Sequence, residues 1–148
     1  MKLPNDTCVI VADSEKFLLL RNIGDEDIMD LRIREHEEQE NPPTREQAAN
    51  RPGRVDDSMT NHRSAYEDTD WHELEKERFA SDLADRLFEW VRTDRIRSLV
   101  LVADPKTLGH LREALHESVT KRVVGEIDKN LTNHPLKEIE KVIRASEA

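Results

Sequence analysis

Residues 99–115 read LVLVADPKTLGHLREAL. The apolar residues at the start of LVLVAD (99–104) are continuous rather than alternating. A strand with one wet face would alternate, so this one is expected to be covered on both faces. Asp104-Pro105 follows in the pattern of an N-cap and a proline at the first helical position. Leu108, Leu111 and Leu115 then recur at helical steps. A doubly covered strand running straight into a helix is part of a βαβ unit and predicts an α/β fold. Gly109 lies inside the helical stretch. An interior glycine costs about 0.5–1 kcal/mol relative to alanine, and close approach of a neighbouring element is the expected reason for it.

The rest of the chain builds outward from this unit. Upstream, Ala80, Leu83, Ala84, Leu87 and Val91 recur at steps of three and four, flanked by Phe79, Phe88 and Trp90. This predicts a long amphipathic helix to about Thr93, with Asp70 and Glu73 as a capping box at its start. Downstream, KRVVGEI (121–127) predicts a last strand. Asn133-His134-Pro135 then opens a helix with Leu136, Ile139, Val142 and Ile143 inward. At the other end, TCVIVAD (7–13) and KFLLLRN (16–22) are separated by a turn-forming Asp13-Ser14-Glu15 and predict a hairpin. In the stretch that follows, Met29, Leu31 and Ile33 alternate with Asp30, Arg32 and Arg34, as in an outer strand. Three antiparallel strands followed by right-handed crossovers give a five-stranded mixed sheet of order 3-2-1-4-5. The expected fold is three-layer α/β/α, of ribonuclease-H-like arrangement, in a single domain over 1–148.

Composition bounds the partners. The 148 residues carry 32 Asp and Glu against 23 Lys and Arg, a net charge of -9. A whole-surface nucleic-acid binder is usually basic, so no DNA partner is expected, while a local basic patch stays open. The single cysteine, Cys8, forms no internal disulfide and reads as a small buried hydrophobe. The N-terminal stretch has no apolar signal core, and no run approaches the ~20 apolar residues of a membrane span. A cytoplasmic protein with no membrane partner is expected.

Two sets of residues are candidates for chemistry. Asp13 and Asp104 end two adjacent parallel strands, where ligands of open α/β sheets bind. Together they suggest a Mg²⁺ site for a metal-dependent nuclease or phosphoryl hydrolase. Against this, Asp13 suits a turn and Asp104 a cap, each a sufficient local role. The histidines show no zinc spacing, and no P-loop, nucleophile elbow or dinucleotide fingerprint is present. No cofactor is therefore expected outside the Mg²⁺ alternative. The second set lies where the apolar pattern vanishes, in a polar loop at about 41–69. It carries Arg51, Pro52, Gly53, Arg54 and Arg63. Arginines suit phosphate or carboxylate recognition, and Pro-Gly suits a type II turn. A solvated loop is the plain competing reading.

NRPGR (50–54), RFASDLADRL (78–87), LVLVADPKTLGHLREAL and GEIDKNLT (125–132) together resemble the bacterial host-attachment protein family. The usual pattern there is D-R-P-G-R, F-A-x-x-L, L-V-L-V-A-P-P-x-x-L-G-x-L-R and K-D-L-T. The chain departs from it at Asn50, Asp104 and Asn130, and at Ser14-Glu15-Lys16. The family is in turn similar to the middle domain of eukaryotic and archaeal class-one peptide release factors. There the loop before the long helix bears a Gly-Gly-Gln tripeptide. Here the equivalent loop carries Pro52-Gly53-Arg54, so peptide release is not carried over. The resemblance implies a non-enzymatic binding module presenting a polar loop to the ribosome, to RNA or to a protein surface. Any role in attachment to host cells would be indirect. A third reading, self-association through the outer strand, is opposed by the charges of Asp30, Arg32 and Arg34.

Overall fold

The computed structural model describes residues 1–38 and 57–147, with side chains for 1–38 and 71–147. The order is β1 (Cys8–Ala12), β2 (Lys16–Asn22), β3 (Leu31–Glu38), α1 (Asp57–Arg92), β4 (Leu99–Ala103), α2 (Pro105–Ala114), α3 (Glu117–Thr120), β5 (Val123–Asp128) and α4 (Leu136–Ala145). The strands form one sheet in the order β3-β2-β1-β4-β5. β1 runs antiparallel to β2 and parallel to β4, in the register Val9↔Val100 to Ala12↔Ala103. Both β1 and β4 are buried along their whole length, as their unbroken apolar runs require.

The sheet separates two apolar layers. On one face Cys8, Ile10, Phe17, Leu19, Leu99 and Leu101 pack against Phe79, Leu83, Leu87 and Trp90 of α1, Leu108 and Leu111 of α2, and Val119 of α3. On the other, Val9, Val11, Leu20, Val100 and Val102 pack against Ile139 and Ile143 of α4. Period-two alternation along each strand feeds the two layers in turn.

One buried polar residue organises the sheet's outer part. Asn22, fully buried, ends β2. Its amide nitrogen donates to the carbonyl of Leu3 (2.9 Å), and its Oδ1 accepts from the backbone N–H of Gly24 (3.0 Å) and Asp30 (2.9 Å). It ties the N-terminal arm and the β2–β3 turn to the sheet.

Three expectations are corrected. The long helix begins at Asp57, not Asp70. Apolar periodicity reports packing, and the first buried residue of α1 among those with described side chains is Phe79. At 1.5 Å per residue this lies ~33 Å along the axis from Asp57, and the stretch before Asp70 carries no apolar periodicity in the sequence. The helical turns from Asp57 are, however, free of Pro and Gly. Asp70 is therefore inside a helix rather than capping one, and Arg63 falls on helix backbone rather than in a loop. Ile33, expected inward, is 46% exposed although it pairs with the buried Leu20, because it stands on the edge strand β3. Finally, a Cβ at Gly109 would meet nothing within 4 Å, so no close approach explains that glycine.

Candidate functional site

β1 and β4 end side by side, at Ala12 and Ala103, and the next residues are Asp13 and Asp104. Both line a cavity of about 50 Å³ with Ser14, Lys76, Phe79, Lys106, Thr107 and His110. The sheet's carboxyl ends thus bring together the two aspartates expected from the sequence. α1 adds Lys76, and the first turns of α2 add Lys106, Thr107 and His110. These four polar additions to the wall were missed. For the α2 residues the available signal was their spacing from the Asp104 cap.

Hydrogen bonds define what the two aspartates do. Asp13 Oδ1 accepts from the backbone N–H groups of Glu15 (2.7 Å) and Lys16 (2.8 Å), and its Oδ2 accepts from the Thr132 hydroxyl (2.7 Å). It closes the β1–β2 turn and fastens the segment after β5 to it. Asp104 accepts from the N–H (3.1 Å) and the hydroxyl (2.7 Å) of Thr107, as the N-cap of α2. The turn and cap roles expected of these residues are the observed ones.

The donor set does not suit Mg²⁺. A divalent cation favours several oxygen ligands and little nearby positive charge. Here every carboxylate oxygen already accepts at least one hydrogen bond, and Lys76 and Lys106 line the same cavity. Among the described residues, no group of three His, Cys, Asp or Glu could hold a metal ion. The metal-dependent reading is left without a supporting observation.

The charges around the cavity are mutually arranged. Lys106 donates to Glu73, and this bond above all holds the Glu73 carboxyl below its usual range. His110 Nε2 is buried with no hydrogen-bond partner among the described residues. At the other end of β1, burial pushes the Cys8 thiol up, consistent with its place in the core. The remaining sequence candidates do not join this site by any described contact. Arg51, Pro52, Gly53 and Arg54 lie outside the described residues, and Arg63 is described only as helix backbone.

A family model for bacterial archaeo-eukaryotic release factor family 12 matches residues 6–143. The chain belongs to this family. The match runs from before β1 into the last turn of α4, so it covers the whole sheet and every helix named above. It carries the release-factor half of the resemblance seen in LVLVADPKTLGHLR, and not the host-attachment half. No curated protein matches the chain. Among the described residues, no helix is long and apolar enough to cross a membrane.

Proposed function

We propose that this family 12 domain is a non-enzymatic binding module acting on the ribosome or its RNA, with the segment at about 41–69 as its contacting element. The supporting observation is the family match across the whole fold, joined to a feature of the sequence. The four glycines stand at 24, 53, 109 and 125, so no Gly-Gly-Gln tripeptide exists to reach a peptidyl ester. What the chain keeps of a release factor is the scaffold. What it places between β3 and α1 is Arg51-Pro52-Gly53-Arg54, whose two arginines are of the type that recognises phosphate. A cytoplasmic location follows from such a partner, and any effect on attachment to host cells would be exerted through translation.

Co-sedimentation with ribosomes at low salt tests this reading. The wild type is expected to pellet with ribosomes and to be released as salt rises, with the Arg51→Ala/Arg54→Ala variant staying in the supernatant. A wild type that never pellets contradicts the reading.

A further inference from the structure

At the opposite end of the sheet from Asp13 and Asp104, an open groove of about 530 Å³ is lined by Asp6, Arg21, Arg34, Asp94, Arg95 and Arg97. Four arginines and two aspartates give it a charge of +2, in a chain whose net charge is -9. We propose that this groove binds the sugar–phosphate backbone of RNA. The proposal rests on the RNA-directed reading above for its partner, but uses a different surface.

Three features of the backbone serve this groove. In the β2–β3 ladder Leu19 pairs with Glu35 and Leu20 with Ile33, which leaves Arg34 as the extra residue of a β-bulge. Bulges disturb the regular pairing of an edge strand, and the residue left unpaired by this one, Arg34, lines the groove wall. Next, the two non-glycine residues with positive φ among the described residues, Asp6 (73°) and Asp94 (62°), both line the groove. Asp94 occupies the left-handed position that ends α1: its N–H donates to Val91 O, and that of Arg95 to Trp90 O, as in a Schellman cap. Glycine is the usual residue there. Last, the aspartate at this position holds arginines. It pairs with Arg97 at 3.2 Å and Arg122 at 3.5 Å, while Asp6 lies 3.4 Å from Arg21 Nε. Arg95 is held between Glu35 at 3.2 Å and the face of Trp90.

The result is a set of oriented guanidiniums with capacity to spare. Arg34 is exposed and has no ion-pair or hydrogen-bond partner among the described residues. Every residue lining the groove is charged. Protein interfaces have an apolar core, whereas phosphate recognition needs only paired N–H donors. The lining therefore favours a polyanion over a folded protein.

The test is fluorescence anisotropy of the full chain with a short labelled single-stranded RNA, across a salt series. The same-sequence DNA and poly-glutamate serve as competitors. With about four phosphate contacts, log K should fall against log salt with a slope near ~-3, and Arg34→Ala/Arg97→Ala should reduce that slope by about 1.4. The double variant should bind at least ~10-fold more weakly at low salt, with an unchanged melting temperature. Asp94→Asn keeps a residue that tolerates the left-handed backbone and removes the competing carboxylate, so it should bind about threefold more tightly. An unchanged slope in the double variant, or competition by poly-glutamate as strong as by RNA, overturns the proposal. So does loss of RNA binding with Arg51→Ala/Arg54→Ala alone, a result that leaves the ribosomal reading standing. Weakened RNA binding by the groove variant, in a chain that never pellets with ribosomes, supports the groove and removes the ribosomal reading.

Discussion

Asn22→Ala should be among the most damaging single substitutions in this domain. The side chain is wholly enclosed, and its shortest bonds are to Leu3 O, Gly24 N–H and Asp30 N–H at 2.9–3.0 Å, with longer ones to Pro4 O (3.3 Å) and Asp25 O (3.5 Å). Truncation removes all of these bonds and leaves the three closest backbone partners without the side chain that satisfied them. Each such group, if dry, costs ~1–3 kcal/mol. Water entering the vacated space would recover part of this, so a total of ~3 kcal/mol is expected. For a chain of this length that is a large share of a stability of ~5–15 kcal/mol, and it should lower the melting temperature by ~6–12 °C. Urea unfolding followed by the fluorescence of Trp90, buried beside Phe17, measures it directly. Asn22→Asp is the companion variant. It keeps the acceptor for Gly24 and Asp30 but turns a carboxylate oxygen toward Leu3 O, so it should be worse at neutral pH than in mild acid, where protonation restores a donor. A loss below ~1 kcal/mol for Asn22→Ala would refute the role given to this network.

Other outcomes follow from single contacts. Gly109→Ala should stabilise the domain by ~0.5–1 kcal/mol, since the added methyl meets open space; a loss of stability in chemical denaturation would show a contact that the fold does not have. Asp104→Ala should cost ~1 kcal/mol through the lost cap while Asp104→Asn costs little, and millimolar Mg²⁺ should leave the melting temperature of the wild type unchanged; metal-dependent stabilisation would reopen the carboxylate pair as a binding site. Burial raises the Cys8 pKa, so the fold favours the neutral thiol. That contribution is complete below the ordinary thiol range and is lost as pH rises through the higher folded value. Thiol labelling at pH 8 should be limited by unfolding, and the urea midpoint should fall in strong alkali; rapid labelling of the native protein would contradict this.

How much of this was legible in the sequence varies by element. β1 and β4 were readable because strands covered on both faces must be apolar throughout, and the register Ile10↔Leu101 joins two such runs. Asp104-Pro105 announced α2 because capping chemistry is local. The first turns of α1 were not readable, since their sequence carries no apolar periodicity to mark a helix. The bulge at Arg34 was hidden for a related reason: Asp30, Arg32 and Arg34 fit a simple alternation, and only the register with β2 reveals the extra residue. The carboxyl-edge aspartates were found because strand ends are predictable, yet their use as turn and cap appears only in the hydrogen bonds. The arginine groove draws residues from β2, β3 and the turn after α1. No local pattern joins residues so far apart in the chain; the fold alone assembles them.

Affinity capture from the native cell, comparing the wild type with a deletion of 41–56, tests the central claim most directly. The wild type should bring down ribosomal RNA and ribosomal proteins, and the deletion variant, folded by the same thermal criterion, should recover far less. A wild-type capture free of ribosomal components, or an identical capture by the deletion variant, would contradict the account.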